Sequence, residues 1–269
     1  MINFFRKIRK KLADDNQFFK YTRYAIGEIL LVVIGILIAL QINNWNGKRQ
    51  EDEKIKFQLA NLLRDMKGDR SGLLGVRSFH AFRVHTSIYL LNQNGITENI
   101  ITFPEAGPIP KLASDGLYGG PIPDSSDKAF IIRGFSWLLR NNYRKPFRDA
   151  LDEFKNTGLY AEFENQEIKK ELRYYYFVYN FSFPPEDMGE SSPTTLLKNS
   201  LLSEGYSYTD VYLLEDPLEI LLSNPTNVAL LKTIIDESTY RSNQANLLVE
   251  MLDSLILKIE NEIENYSKN

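Results

Sequence analysis

The chain of 269 residues contains no cysteine and only two histidines. The absence of cysteine excludes disulfide bonds, thiolate metal sites and cysteine nucleophiles. His80 and His85 lie five residues apart, whereas helical metal-binding pairs of the H-E-x-x-H type lie four apart on one face. A zinc site would also need a third ligand and supporting partners. We therefore expect two ordinary surface or core histidines and no bound metal.

The sequence also lacks the short motifs that carry catalysis. It contains no phosphate-binding G-x-x-x-x-G-K-[ST] loop, no G-x-G-x-x-G and no G-x-S-x-G. The segment from Asp124 to Asp127 could ligate calcium, but the rest of an EF-hand loop is missing. A turn followed by a serine helix cap accounts for it better. We expect no catalytic residue and no cofactor.

One long apolar run is present. Residues 29–40 contain only Ile, Leu, Val, Gly and Ala. At about 1.5 Å per residue, a helix over residues 24–42 just spans a bilayer core of about 30 Å. Tyr24 and Trp45 bracket the run, as amphipathic aromatic residues do at a lipid–water boundary. The pattern predicts a transmembrane helix over residues 24–45.

Glu28 is the one charged residue within this segment. An ionised carboxylate deep in hydrocarbon costs about 2.5 kcal/mol or more. Because Glu28 follows Arg23 closely, we favour an interfacial carboxylate that reaches back toward Lys20, Arg23 or lipid head groups. An intramembrane functional acid is the alternative.

The distribution of charge predicts the orientation. Residues 1–23 carry seven basic and two acidic residues, whereas the segment KRQEDEKIK after the run is nearly balanced. This bias keeps the basic leader, residues 1–23, in the cytoplasm and sends the C-terminal part across the inner membrane to the periplasm. We predict an uncleaved signal anchor. A signal peptide cleaved near Gln41 is the alternative, but no A-x-A site follows the run.

Partners are suggested only in general terms. Gly35 and Ala39 form a small-xxx-small pair, which favours close helix packing in the bilayer and makes a homo-oligomer a hypothesis. Another envelope protein is the other candidate. The first 43 residues carry +4 and the whole chain −3, so residues 44–269 carry −7. That charge argues against nucleic acid or anionic lipid as their ligand.

Residues 46–269 are predicted to form one helical domain. Two apolar stripes recur at the coiled-coil-like spacing of four, three and four residues. They are Ile55, Leu59, Leu62 and Met66, and Leu248, Leu252, Leu255 and Ile259. Strand-like alternation is scarce. We therefore predict an all-α bundle in which a long first and a long last helix pack together, with the first weakened at Gly68, Gly72 and Gly75.

Several residues mark helix boundaries. Pro146 suits the first turn of a helix that ends at Gly158, and Asn165 is expected to cap the following helix. The pair Asn224-Pro225 signals the start of the last helix. Residues 93–126 are rich in Gly and Pro and should form a long loop or a packed irregular wrap.

The densest aromatic cluster lies in the helix after Asn165. It comprises Tyr174, Tyr175, Tyr176, Phe177 and Tyr179. We favour burial in the core, because a helix this apolar is usually covered on most of its surface. A ligand groove or a partner surface is the alternative, since tyrosine is enriched at interfaces.

Residues 4–46, FFRKIRKKLADDNQFFKYTRYAIGEILLVVIGILIALQINNWN, closely resemble the signature of an uncharacterised family of single-pass membrane proteins common in Bacteroidota. The likeness covers the basic leader, YAIGEI with Glu28, and IGILIALQINNWN. A second stretch, ALDEFKNTGLYAEFENQEIKKELRYYY, is similar to another segment of that family. The family has no established activity. The resemblance therefore implies an anchored helical extracytoplasmic domain with a recurrent acid at position 28.

These observations together suggest a function class without a named chemistry. We expect a non-enzymatic, single-pass inner-membrane protein whose periplasmic helical domain binds a partner or senses a ligand. An envelope enzyme with an unfamiliar site, placed in residues 93–126, is the alternative.

Overall fold

The computed structural model describes residues 6–7, 10, 18–97, 100, 102–112, 121–140, 145–184, 189–207, 209–210 and 213–268, with side chains from Thr22 onward in the first long helix. Most of the predicted leader therefore lies outside the described residues, as do residues 113–120 of the Gly/Pro-rich segment. Within the described residues the structure is helical and contains no strand. The all-α prediction is confirmed.

Eight α-helices and one 3₁₀ turn occur in the described part of the chain. They are α1 (Phe18–Gln93), the 3₁₀ turn Pro104–Ala106, α2 (Lys128–Leu138), α3 (Asp149–Asn156), α4 (Leu159–Glu162), α5 (Gln166–Ser182), α6 (Pro193–Ser203), α7 (Pro217–Ser223) and α8 (Pro225–Lys268). The first and last helices are by far the longest, as predicted. The chain divides into two compact units, Met1–Lys56 and Phe57–Asn269.

Helix α1 continues through Gly68 and Gly75 without a break, so the glycines that were expected to weaken it do not interrupt it. Gly68 has a packing role, since a Cβ there would lie 2.9 Å from Cε2 of the Phe147 ring. A glycine costs a helix interior only about 1 kcal/mol relative to alanine. Burial of an extended stripe on the same helix outweighs that cost.

The apolar stripe of α1 is longer than its sequence suggested. Spacing of four and three residues continues along one buried face of the second unit. This stripe consists of Leu59, Leu62, Met66, Asp69, Leu73, Val76, His80, Arg83, Ser87 and Leu90. Its four polar members are buried with the rest, so the core of this unit is only partly apolar.

Helices α1 and α8 pack antiparallel in the second unit. Arg77 Nη1 donates to Asn246 Oδ1 at 2.9 Å, and Lys67 Nζ pairs with Glu260 Oε1 at 2.7 Å. The later residue of α1 thus meets the earlier residue of α8. The predicted contact between the first and last long helices is confirmed.

The start of α2 was predicted with the wrong cap. The side chain of Asp127, and not a serine, accepts the N–H of Phe130 at 2.9 Å. Tyr89 also holds this turn, because its hydroxyl donates to the Ser125 carbonyl and accepts the N–H of Asp127, each at 3.0 Å. A carboxylate at this N-terminus also interacts favourably with the helix dipole.

The prediction that Pro146 lies in the first turn of a helix was also wrong, because α3 begins at Asp149. Side chains of α1 explain the later start. Asp69 Oδ1 accepts the N–H of Phe147 at 2.9 Å, and Asp65 Oδ2 accepts that of Ala150 at 3.1 Å. Because both N–H groups are bonded to side chains of α1, residues 146–148 stay outside the helix.

The remaining boundary predictions are confirmed. Gly158 follows the end of α3 with a φ of +78°, the left-handed conformation typical of a helix C-terminus. Asn165 caps α5 by accepting the N–H of Ile168 at 3.1 Å. Helix α8 begins at Pro225, directly after Asn224.

Candidate functional site

The apolar part of α1 is exposed along its length. An 18-residue window within Thr22–Gln93 has a mean hydropathy of 2.6, and none of that window is buried. The helix is long and apolar enough to cross a membrane, and it is the one such helix in the described residues. A core helix of a soluble protein would be mostly buried, whereas a signal sequence near the N-terminus would meet the same criteria.

The aromatic residues that bracket this run lie at its two ends. At about 1.5 Å per residue, Tyr24 and Trp45 are about 31 Å apart along the helix, close to the thickness of a bilayer core. Both side chains are exposed. The guanidinium of Arg49 lies 5.8 Å from the centre of the Trp45 ring, so a cation accompanies the aromatic residue at that end.

Glu28, Gly35 and Ala39 share one face of the helix. They are seven and four residues apart, the spacing that repeats on one side of a helix. Gly35 and Ala39 are exposed, and Glu28 is half-buried. A Cβ on Gly35 would meet no atom within 4 Å. The small residues are therefore open to a neighbouring helix.

The five aromatic residues of α5 divide between two surfaces. Tyr175, Tyr176 and Tyr179 are buried, as favoured from the sequence, whereas Tyr174 and Phe177 are exposed. Helical geometry explains the division, because consecutive residues point about 100° apart around the axis. Only part of the cluster therefore belongs to the core.

Asp69 is the hub of a buried polar network between α1 and α5. Its Oδ2 accepts the hydroxyl of Tyr175 at 2.9 Å, and its Oδ1 accepts the N–H of Phe147. Tyr176 donates its hydroxyl to the Phe147 carbonyl at 2.7 Å. Burial first, and Asp69 second, raise the pKa of both tyrosine hydroxyls far above the ordinary value. The tyrosines are thus fixed as neutral hydrogen-bond donors.

Arg83 is a fully buried cation in the same unit. Its Nη2 donates to Thr194 Oγ1 at 2.7 Å, near the start of α6, while its buried Nε has no hydrogen-bond partner. Burial lowers the pKa of its guanidinium to about 10, against the attraction of Glu237. The guanidinium carbon also lies 5.6 Å from the centre of the Phe79 ring. One hydroxyl and one aromatic ring compensate only in part for burying a guanidinium, which makes Arg83 a costly residue for the fold.

The two histidines have separate surroundings in the second unit. His80 is buried in the α1 stripe, and His85 donates from Nε2 to the Pro110 carbonyl at 2.8 Å. No group of three or more potential metal ligands occurs among the residues that the structure describes.

The described part of the Gly/Pro-rich segment is packed against the bundle. Asn243 Nδ2, on α8, donates to the carbonyls of Ala106 and Pro108, each at 2.8 Å. The N–H of Phe103 donates to Asp236 on the same helix at 2.7 Å. These residues fit the packed wrap that was one of the two predictions for this segment.

A groove of about 210 Å³ opens between α5 and α8. It is lined by Glu171, Tyr174, Tyr175, Met251, Ser254 and Leu255. Glu171 accepts a hydrogen bond from Lys258, which also contacts Glu167 at 2.6 Å. The remaining lining is mostly apolar.

Residues 28–93 match the model of a family of unknown function, DUF6090. The match begins at Glu28, contains the apolar run and extends to the end of α1. The expected relationship to a family without an assigned function is confirmed over these residues. The leader and the second similar stretch, from Ala150, lie outside the match. No curated protein and no solved structure matches the chain.

Sequence reasoning missed Asp69 and Arg83. A signal for them was present, because both continue the four–three spacing that begins at Leu59. A charged residue in the phase of a buried stripe requires a partner from another helix. Extending the periodicity beyond Met66 would have identified both.

Proposed function

We propose that this chain is a single-pass inner-membrane protein whose second unit, Phe57–Asn269, binds another envelope protein in the periplasm. The observation that carries the anchor is the complete exposure of an 18-residue apolar window in α1. An exposed apolar helix of this length is stable only where lipid or another apolar surface covers it.

The orientation in this proposal rests on charge. The excess of Lys and Arg within residues 1–23 favours a cytoplasmic N-terminus. Alkaline phosphatase folds only in the periplasm. We therefore expect an active enzyme when it is fused after Asn269, and also when it is fused after Trp45. Inactive fusions at both positions would contradict this orientation.

Retention of the leader distinguishes an anchor from a signal peptide. We expect intact protein, including Arg6, in the membrane fraction by mass spectrometry. As a second test, Leu37→Arg at the centre of the run should reduce insertion, because arginine there costs about 2.5–3.5 kcal/mol. Gln41→Arg, near the end of the run, is the matched control and should insert better. Equal insertion of both variants, or loss of residues before Gln41, would contradict the anchor.

Partner binding by the second unit is favoured over catalysis by the composition of its surfaces. Its open groove is mainly apolar, and its described polar networks hold helices together. Two further predictions concern assembly: a homo-oligomer that forms through Gly35 and Ala39, and a coiled coil of the long helices. Crosslinking of the full-length protein in its membranes tests for a second copy of the chain and for another envelope protein.

A further inference from the structure

Two neighbouring segments of the chain contain basic residues and no acidic ones. Residues 70–97, which include the end of α1, contain three Arg, and residues 128–148, which include α2, contain six Lys or Arg. Neither segment contains Asp or Glu, although residues 44–269 carry −7 as a whole. The two segments pack together through aromatic rings. Tyr89 contacts Phe130 with ring centres 4.9 Å apart, and Phe79 contacts Trp137 with ring centres 5.9 Å apart.

Several cations of these segments are already used within the chain. Arg70 pairs with Asp253, and Arg148 lies 3.9 Å from Asp152. The guanidinium of Arg83 is buried. These three side chains therefore contribute little charge to the surface.

Arg133 and Arg140 on α2 differ from them. Both are exposed, and neither side chain forms an ion pair or a hydrogen bond with any described residue. The guanidinium carbon of Arg133 lies 5.3 Å from the centre of the Phe130 ring, and that of Arg140 lies 4.6 Å from the centre of the Trp137 ring. A guanidinium stacked on a ring keeps its N–H edge for an anion. We call Arg133 and Arg140 the α2 arginine pair.

The arginine pair has a defined spacing. Its members are seven residues apart, so they lie on one face of α2 and are separated by about 10.5 Å along its axis. The Phe82 ring of α1 also holds the first member, with its centre 5.9 Å from the guanidinium carbon of Arg133. Ala129, four residues before Arg133, is exposed on the same face. A ligand with two anionic groups about 10.5 Å apart could therefore meet both guanidinium groups.

From this geometry we infer that the α2 arginine pair binds two carboxylates of an acidic segment in the partner protein. Carboxylates reach this separation of about 10.5 Å when roughly seven residues lie between them in a helix, or roughly three in an extended segment. Arginine binds a carboxylate through two parallel N–H···O bonds, which gives direction as well as affinity. An anionic lipid surface is disfavoured, because it attracts clusters of about four to eight Lys or Arg, whereas this face of α2 carries the arginine pair. The inference rests on the proposed partner-binding function and names its surface.

The test uses the full-length protein in its native membranes, with a photocrosslinking amino acid in place of Ala129. We expect an adduct with another protein, whose crosslinked peptide, identified by mass spectrometry, contains two Asp or Glu residues at one of these spacings. The crosslinker at Leu202, which is 61% exposed on α6, is the positional control and should not give this adduct.

Charge variants test the arginine pair itself. Arg133→Glu with Arg140→Glu should reduce the adduct about tenfold, since like charges would then oppose docking. Arg133→Gln with Arg140→Gln adds no new charge and should reduce the adduct about fivefold. The matched control is Lys170→Glu with Arg173→Glu on the exposed face of α5, which changes the net charge as much as the first variant does. It should alter the adduct less than about twofold, because salt screens exposed charges beyond about 8 Å.

Proteolysis patterns identical to the wild type show which variants are folded, and the glutamine variant decides if the glutamate variant is not. The inference is overturned by the absence of an adduct at position 129, by an adduct with lipid or a second copy, or by a crosslinked peptide without the two acidic residues. It is also overturned if folded arginine variants leave the adduct unchanged, or if the α5 control reduces it equally.

The proposed function and this surface can fail separately. An adduct with another protein that does not depend on the arginine pair would refute this surface and leave partner binding standing. The phosphatase fusions report orientation independently of position 129. Inactive fusions with an adduct that depends on the arginine pair would refute the proposed topology alone.

Discussion

Tyr175 donates its hydroxyl hydrogen to Asp69 across 2.9 Å, although 106 positions separate the two residues in sequence. The bond joins α5 to α1, and the other oxygen of Asp69 accepts the N–H of Phe147 just before α3. One buried carboxylate therefore holds two separate segments on the same turn of α1. Loss of either donor would leave a buried acceptor without the bond that compensates for its desolvation.

Removal of the Tyr175 hydroxyl should destabilise the second unit. We expect Tyr175→Phe to lower the free energy of unfolding by about 1–3 kcal/mol, because Asp69 stays buried and loses a donor. Urea denaturation of the full-length protein in detergent, followed by circular dichroism, measures this change. Tyr174→Phe, at an exposed position of the same helix, is the control and should change stability by less than about 0.5 kcal/mol.

A double-mutant cycle assigns the effect to this pair. Tyr175→Phe and Asp69→Ala should be non-additive, with a coupling energy of about 1 kcal/mol or more. Additive effects of the two changes would show that the hydrogen bond between them contributes nothing measurable to stability.

Alkaline pH should destabilise the protein through its buried tyrosines. Burial raises the pKa of the Tyr175 and Tyr176 hydroxyls, whereas an unfolded tyrosine titrates near pH 10. Below about pH 10 both states keep these protons and the stabilisation is complete. Above about pH 10 the unfolded chain releases protons that the folded chain retains, so stability falls as pH rises. Arg83 opposes this trend, because burial lowers the pKa of its guanidinium. The raised pKa values of Tyr160, which is partly buried, and of Lys258, which is bonded to Glu167 and Glu171, act in the same direction as the two buried tyrosines.

Urea midpoints between about pH 8 and pH 11 measure this dependence. The wild type should lose stability toward the upper end, and the double variant Tyr175→Phe, Tyr176→Phe should show a shallower slope. Tyr174→Phe should keep the wild-type slope, because that residue is exposed. Equal slopes for all three proteins would mean that the buried hydroxyls do not cause the alkaline loss.

The fold was predictable from the sequence where local rules decided the outcome. Asn165 and Gly158 fixed helix ends through caps that involve only neighbouring residues. Helix α3 differed, because side chains of α1 supply the acceptors that place its start at Asp149. An acceptor 78 positions away, as for Phe147 and Asp69, leaves no local pattern.

The candidate sites also differ in whether local sequence or tertiary packing decides them. The exposed run around Gly35 was evident from composition, since lipid imposes a simple apolar requirement. Predicting which α5 aromatic residues are buried required knowing which face of that helix is turned to the core. The run Tyr174 to Tyr176 did not reveal that face, because its residues are consecutive and chemically alike.

Thr194 should matter to stability more than its size suggests. Thr194→Val removes the acceptor of the buried Arg83 guanidinium and should cost about 1–3 kcal/mol. Arg83→Met removes the buried charge itself, so it should cost less than Thr194→Val or even stabilise the protein. When Arg83→Met is already present, adding Thr194→Val should change the free energy of unfolding little further. A larger loss for Arg83→Met than for Thr194→Val would show that Arg83 has a stabilising partner of greater weight.

Two glycines should respond to alanine in opposite directions. A Cβ on Gly134 in α2 would overlap the Cγ2 methyl of Thr86, so Gly134→Ala should cost about 1–3 kcal/mol through overpacking. Thr86→Ser removes that methyl and should recover part of the loss. Gly75 in α1 meets no atom within 4 Å, so Gly75→Ala should stabilise the helix by about 0.5–1 kcal/mol. Thermal unfolding of the wild type, Gly134→Ala, Gly134→Ala with Thr86→Ser, and Gly75→Ala measures these changes as shifts of the unfolding temperature. Equal shifts for Gly134→Ala and Gly75→Ala would contradict the close contact between α1 and α2 at Thr86.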